Sequence, residues 1–131
     1  MGIREEAIRL HESGFNCAQS VLCACGKYTG LDDDTALALS AGFGGGVRCG
    51  EICGAISGAV MAIGMAYPFA DASDTKAKER IAALTRECTG RFENEYGCVR
   101  CCELKASGCR CAALIEYAAA LAEDIINVNK K

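Results

Sequence analysis

This chain of 131 residues contains only one histidine and one proline, and it has no excess of basic charge. Its formal net charge is −3. His11 lies among polar neighbours, where a solvated surface role is expected. With no histidine partners and no paired buried acids, the sequence shows no apparatus for hydrolytic chemistry. The acidic balance also gives no field that would attract nucleic acid or an anionic membrane.

Signals for β-strands are missing as well. No run alternates apolar and polar residues with β-branched side chains, and alanine and leucine dominate the periodic segments. Apolar residues recur instead at helical spacing, as at Ile3, Ala7 and Leu10. The length is that of one ordinary domain, and no internal repeat or linker divides it. We therefore predict an all-α fold: a compact single-domain bundle of about five to six helices with a Gly-rich loop, spanning residues 1–131.

Two of the predicted helices carry cysteines at their starts. Asn16 is a suitable N-cap for a helix that begins at Cys17 and ends near Gly30. In the last helix an apolar stripe runs from Cys111 to Ile125, and this pattern directs Cys111 towards the core.

An uncharged stretch, residues 52–70, follows a glycine-rich segment at residues 42–51. The glycine-rich segment has neither a dinucleotide fingerprint nor a P-loop, and it follows no predicted strand, so we expect a loop that can approach another backbone or a cofactor closely. The uncharged stretch is rich in small residues and has no basic cluster at either side. We predict a buried central helix there and no stable membrane insertion.

Cysteine is the residue in excess. The chain has 11 cysteines, an odd number, so at least one thiol stays unpaired. Charges stand near the N-terminus where a secretory signal would need an apolar run, and a cytoplasmic location is therefore expected. In a reducing compartment clustered cysteines serve as metal ligands or exchanging thiols more often than as permanent disulfides. Several are expected to be small buried hydrophobes.

Cys17, Cys53 and Cys111 each lie in or near the first turn of a predicted apolar helix. Unpaired backbone amides and the helix dipole favour the thiolate there, which makes a better nucleophile and a better ligand. A fourth ligand can come from the loop at residues 98–102. Four thiolates complete a tetrahedral zinc site or hold an iron–sulfur cluster.

Residues 53–58 (Cys-Gly-Ala-Ile-Ser-Gly), with Asn-Cys-Ala-Gln at residues 16–19 upstream, resemble the C_GCAxxG_C_C family of redox-active proteins, named for a Cys-Gly-Ala-x-x-Gly motif. The resemblance covers nearly the whole chain. It assigns the four family cysteines to Cys17, Cys53, Cys101 and Cys111. Split-Soret cytochromes carry a similar cysteine-bearing domain with an iron–sulfur cluster, and they form dimers.

The resemblance implies that these four cysteines bind an iron–sulfur cluster, that the chain transfers electrons with a partner protein, and that it forms a homodimer. It leaves open whether the chain is itself an enzyme or a component of an oxidoreductase.

Two other functions are compatible with these cysteines. The first is a structural zinc site, which could also form locally from Cys98, Cys101, Cys109 and Cys111. The second is a metal-free thiol–disulfide protein that uses Cys49 and Cys53, or Cys17 and Cys53, as its catalytic pair. The chain carries seven cysteines beyond the four-cysteine pattern, so the ligand set stays open at this point.

Overall fold

The computed structural model describes residues 2–129 and shows a bundle of α-helices, which confirms the all-α prediction. Within these residues there is no strand, only a single antiparallel bridge between Ile52 and Arg100. The helices are α1 (Ile3–Glu12), α2 (Cys17–Ala24), α3 (Gly26–Thr29), α4 (Asp33–Ser40), α5 (Gly54–Ala66), α6 (Thr75–Tyr96), α7 (Cys101–Ala106) and α8 (Cys111–Val128).

The described residues therefore form eight helices, more than the five to six predicted. One extra helix arises because the predicted helix from Cys17 to Gly30 breaks at Cys25, whose ψ of 16° departs from helical values. The other is α7, which was not predicted and whose first two residues fall in the loop predicted at residues 98–102. Both are short elements whose periodic pattern is too brief to stand out in the sequence.

Helix α5 forms the centre of the bundle and packs against α2, α8 and α6, while α1 packs against α2 and α8. Its side chains Ile56 and Ile63 are almost fully buried, as are Phe92 of α6 and Ile115 of α8. The uncharged stretch is thus the buried central helix that its composition predicted. No helix among residues 2–129 is long and apolar enough to cross a membrane.

The glycine-rich segment turns with left-handed backbone geometry. Gly45, Gly46, Val47 and Arg48 all have positive φ, from 58° to 65°. Glycine is required at Gly46, because a Cβ there would lie 2.4 Å from the carbonyl oxygen of Glu51. The amide of Glu51 in turn donates a hydrogen bond to the Gly46 carbonyl at 3.1 Å. The segment thus brings two stretches of backbone close together, as its glycines predicted. We call residues 45–48 the left-handed turn.

Candidate functional site

Four cysteines from the starts of four different helices line one small cavity. Cys17 is the first residue of α2, Cys101 of α7 and Cys111 of α8, and Cys53 is the residue directly before α5. The other lining residues are Gly45, Leu104, Lys105 and Leu114. Each cysteine lies where unpaired backbone amides and the positive end of a helix favour a thiolate.

The position of Cys17 is fixed by the cap of its helix. The Asn16 side chain accepts a hydrogen bond from the Gln19 amide at 2.9 Å, and the Gln19 side chain accepts one from the Asn16 amide at 3.1 Å. The Asn16 side-chain nitrogen also donates to the carbonyl of Ala41 at 3.0 Å. The capping box therefore ties the start of α2 to the beginning of the glycine-rich segment.

A short antiparallel ladder around the bridge between Ile52 and Arg100 holds Cys53 and Cys101 at diagonal positions on two adjacent segments. The Cys53 amide donates to the carbonyl of Val99 at 2.9 Å, and the Cys101 amide donates to the carbonyl of Glu51 at 2.6 Å. These bonds join residues far apart in sequence, so the placement of both cysteines at one cavity could not be read from their spacing.

Both glycines of the Cys-Gly-Ala-x-x-Gly motif face α2 at very short range. A Cβ at Gly54 would lie 2.4 Å from the sulfur of Cys17, and one at Gly58 would lie 2.7 Å from the carbonyl oxygen of Ala18. Any side chain at either position would push α5 away from α2. The motif thus serves to bring Cys17 against the start of α5, next to Cys53.

The Cys17 and Cys53 thiols interact directly. Interaction with the Cys53 thiol, aided by the backbone amides of Gly45 and Ala18, lowers the pKa of Cys17 below its ordinary value, although burial acts in the opposite direction. The same contact with Cys17, together with burial, raises the pKa of Cys53. The pair is therefore arranged as a thiolate at Cys17 and a thiol at Cys53.

The other two cysteines are placed differently from what their patterns indicated. Cys111 is exposed, although the apolar stripe directed it to the core. As the first residue of α8 it lies at the mouth of the cavity instead of among the helix contacts. Cys101 is buried at the start of α7 and not in a loop, and burial raises its pKa.

Lys105 is a cavity residue that the sequence did not point to. It lies four residues after Cys101 on α7, so its placement follows from a helix that was not predicted. Leu104 and Leu114 supply apolar walls to the same cavity. Leu114 belongs to the stripe recognised in the last helix.

Cys49, named with Cys53 as a catalytic pair, does not line the cavity. It is exposed, and its thiol donates to the carbonyl of Gly46 at 3.4 Å. Three further cysteines, Cys23, Cys25 and Cys88, are buried in the helix contacts as small hydrophobes. Burial raises the pKa of Cys25 to about 12, which makes it a poor nucleophile.

No three cysteine, histidine or acidic side chains within residues 2–129 are arranged to hold a single metal ion. This geometry lends no support to a zinc ion in the four-cysteine cavity, or to a local zinc knuckle of Cys98, Cys101, Cys109 and Cys111. An iron–sulfur cluster makes a different demand, because its thiolates bind separate iron atoms and need not converge on one point. Four thiols around one cavity with leucine walls are a fitting donor set for such a cluster.

No curated protein and no solved structure matches the chain. A family model described as "Putative redox-active protein (C_GCAxxG_C_C)" matches residues 15–125. The matched range contains all four cavity cysteines and both motif glycines that face α2. The chain therefore belongs to the C_GCAxxG_C_C family of redox-active proteins.

Proposed function

We propose that the four-cysteine cavity is the redox centre of this protein and that Cys17, Cys53, Cys101 and Cys111 hold an iron–sulfur cluster there. The observation that carries the proposal is the meeting of four helix starts, each with a cysteine, around one cavity. A disulfide would use only two of the four cavity thiols. An iron–sulfur cluster would use all four, because each thiolate binds an iron atom. A bound cluster would supply a centre that takes up and releases single electrons.

The chain's own residues would set the conditions for that chemistry. Helix starts stabilise the thiolate form of the ligands, and the lowered pKa of Cys17 favours its thiolate. Leu104 and Leu114 limit the access of water, while Lys105 places a positive charge beside a site with several thiolates. Such charges and walls are the means by which a protein tunes a reduction potential.

Anaerobic purification followed by analysis of iron, sulfide and visible absorption tests the cluster. We expect a coloured protein with iron and sulfide, and serine substitution of each of the four cysteines should abolish the colour. Cys49→Ser is the matched control, because Cys49 is exposed on the neighbouring turn and does not line the cavity. A colourless protein, also after incubation with iron and sulfide, would rule the cluster out.

The contact between Cys17 and Cys53 favours a second candidate, a thiol–disulfide function without metal. The Cys17 thiolate would attack a disulfide of a partner molecule to give a mixed disulfide, releasing one partner thiol. Cys53 would then displace the second partner thiol, so that the partner gains two electrons and a Cys17–Cys53 disulfide forms.

Treatment with glutathione disulfide, followed by mass spectrometry of proteolytic fragments, separates this candidate from the cluster. The thiol–disulfide function requires a linked fragment that contains Cys17 and Cys53, formed by protein without metal. The Cys49–Cys53 pairing would give a different linked fragment, so the same measurement decides between the two pairs. Protein that keeps both thiols free under these conditions would contradict the candidate.

A further inference from the structure

The left-handed turn presents an apolar and a basic side chain to solvent at the expense of backbone strain. Val47 has φ 58° and ψ 38°, and Arg48 has φ 62°. A β-branched residue is a rare outlier in this region. Val47 is 49% exposed, so burial of its side chain does not offset the strain. Strained backbone of this kind is concentrated at functional sites.

The turn lies beside the four-cysteine cavity. Gly45 of the turn lines the cavity, and the residues that follow pack against α7. A Cβ at Gly50 would lie 3.1 Å from the Cβ of Cys102 in that helix, which shows how closely the two segments approach. The exposed Ile52 directly follows the glycine-rich segment and precedes Cys53.

Three cations stand next to this surface without an acidic partner. Arg48 lies on the turn, Lys105 lines the cavity, and Arg110 directly precedes Cys111. All three residues are exposed, and none forms a salt bridge with another of the residues 2–129.

The two acidic side chains nearest to these cations share Arg100, which balances one of their two negative charges. Arg100 forms salt bridges with both Glu51, at 2.8 Å, and Glu103, at 3.0 Å. The surface beside the cavity is therefore locally basic, although the whole chain has a net charge of −3. We give the name cavity face to five of its exposed residues: Val47, Arg48, Ile52, Lys105 and Arg110.

We propose that the cavity face docks an acidic protein that exchanges electrons with the cavity. This inference rests on the proposed electron-transfer function. The negative charge of the rest of the molecule would repel an acidic partner, whereas the cavity face would attract it. This difference would orient the partner towards the cavity during the encounter. Val47 and Ile52 would supply the apolar contact. In the exchange one electron leaves the reduced partner and enters the oxidised centre, with no bond formed or broken.

Binding of an acidic [2Fe–2S] ferredoxin, measured by calorimetry at low ionic strength, tests the proposal. The double substitution Lys105→Glu and Arg110→Glu should weaken binding by about tenfold or more. The matched control is Lys76→Glu with Lys78→Glu, which makes the same change in net charge at the start of α6, where both lysines are exposed. The control should change the affinity by less than about threefold.

Val47→Gly tests the strained turn separately. Glycine adopts positive φ freely, so the variant should unfold at a higher denaturant concentration than the wild type while binding the ferredoxin more weakly. If Val47 had only a structural role, the substitution would change stability without weakening the binding of the ferredoxin.

Equal loss of affinity in the two double variants, or no binding of the ferredoxin by the wild-type protein, would overturn the proposal. Binding is measured on the purified protein whether or not it carries a cluster. A colourless protein would therefore end the cluster proposal and leave the docking result standing on its own.

Discussion

Cys17 is the side chain whose chemistry the surrounding structure alters most usefully. Interaction with the Cys53 thiol and with the amides of Gly45 and Ala18 lowers its pKa. The thiolate is the form that reacts with alkylating agents. A lowered pKa means that the thiolate appears at lower pH than in a free cysteine, so the reactivity should appear there too.

In the metal-free protein, we expect iodoacetamide to label Cys17 at mildly acidic pH, with a midpoint below that of an ordinary cysteine. Cys25, whose pKa is raised to about 12 by burial, should stay unlabelled in the same pH range. Mass spectrometry of labelled fragments across a pH series measures both. Cys53→Ala removes the interaction with the Cys53 thiol and should move the Cys17 midpoint to higher pH, whereas Cys88→Ala should not. If the pH midpoint for Cys17 labelling did not shift in Cys53→Ala, the interaction assigned between the two thiols would be contradicted.

At the next level, the contact between α2 and α5 is what joins Cys17 to Cys53. Its closeness depends on two glycines that face α2, whereas Gly64 further along α5 has no atom within 4 Å of where its Cβ would lie. Alanine substitutions at Gly54, Gly58 and Gly64 of this one helix therefore distinguish the effect of close packing on stability from that of helix propensity.

Gly54→Ala and Gly58→Ala should each destabilise the protein by about 1–3 kcal/mol, because the added methyl group collides with Cys17 or with the backbone of α2. Gly64→Ala should instead stabilise it by about 0.5–1 kcal/mol, because alanine favours the helix and nothing obstructs it. Chemical denaturation followed by circular dichroism gives all three values. A gain in stability from Gly58→Ala would show that the two helices do not approach as closely as described.

The molecule as a whole is expected to unfold as one unit. The core runs without interruption through α1, α2, α5, α6 and α8, and α5 contacts four of the other helices, α2, α3, α6 and α8. Ellipticity and the accessibility of the buried Cys25 and Cys88 thiols should therefore change together in guanidinium chloride. Two separate transitions would contradict the prediction of a single domain.

The central helix provides the mutation that tests this cooperativity. Ile56→Ala, at a side chain that is 1% exposed, should lower the free energy of unfolding by about 2–5 kcal/mol and shift both transitions equally. Leu39→Ala is the control, because Leu39 is 53% exposed and its loss should cost no more than about 0.5 kcal/mol.

Much of the fold could be predicted because long helices repeat their pattern over many residues. The start of α8, the cap at Asn16 and the buried uncharged helix all follow from local chemistry. The short α7 could not be predicted, since six residues give too little periodicity to recognise. With α7 missing, Lys105 could not be connected to the cavity, and Cys101 was placed in a loop.

By itself the sequence determined the helical class, the family and the cysteines at helix starts, because each depends on residue types within a few positions of one another. Only the tertiary structure decided that Cys17 contacts Cys53, that Cys49 does not line the cavity and that Cys111 is exposed at its mouth. These placements depend on a two-rung ladder and on two glycine contacts between residues distant in the chain. No local pattern records such contacts, since they exist only when the helices have packed.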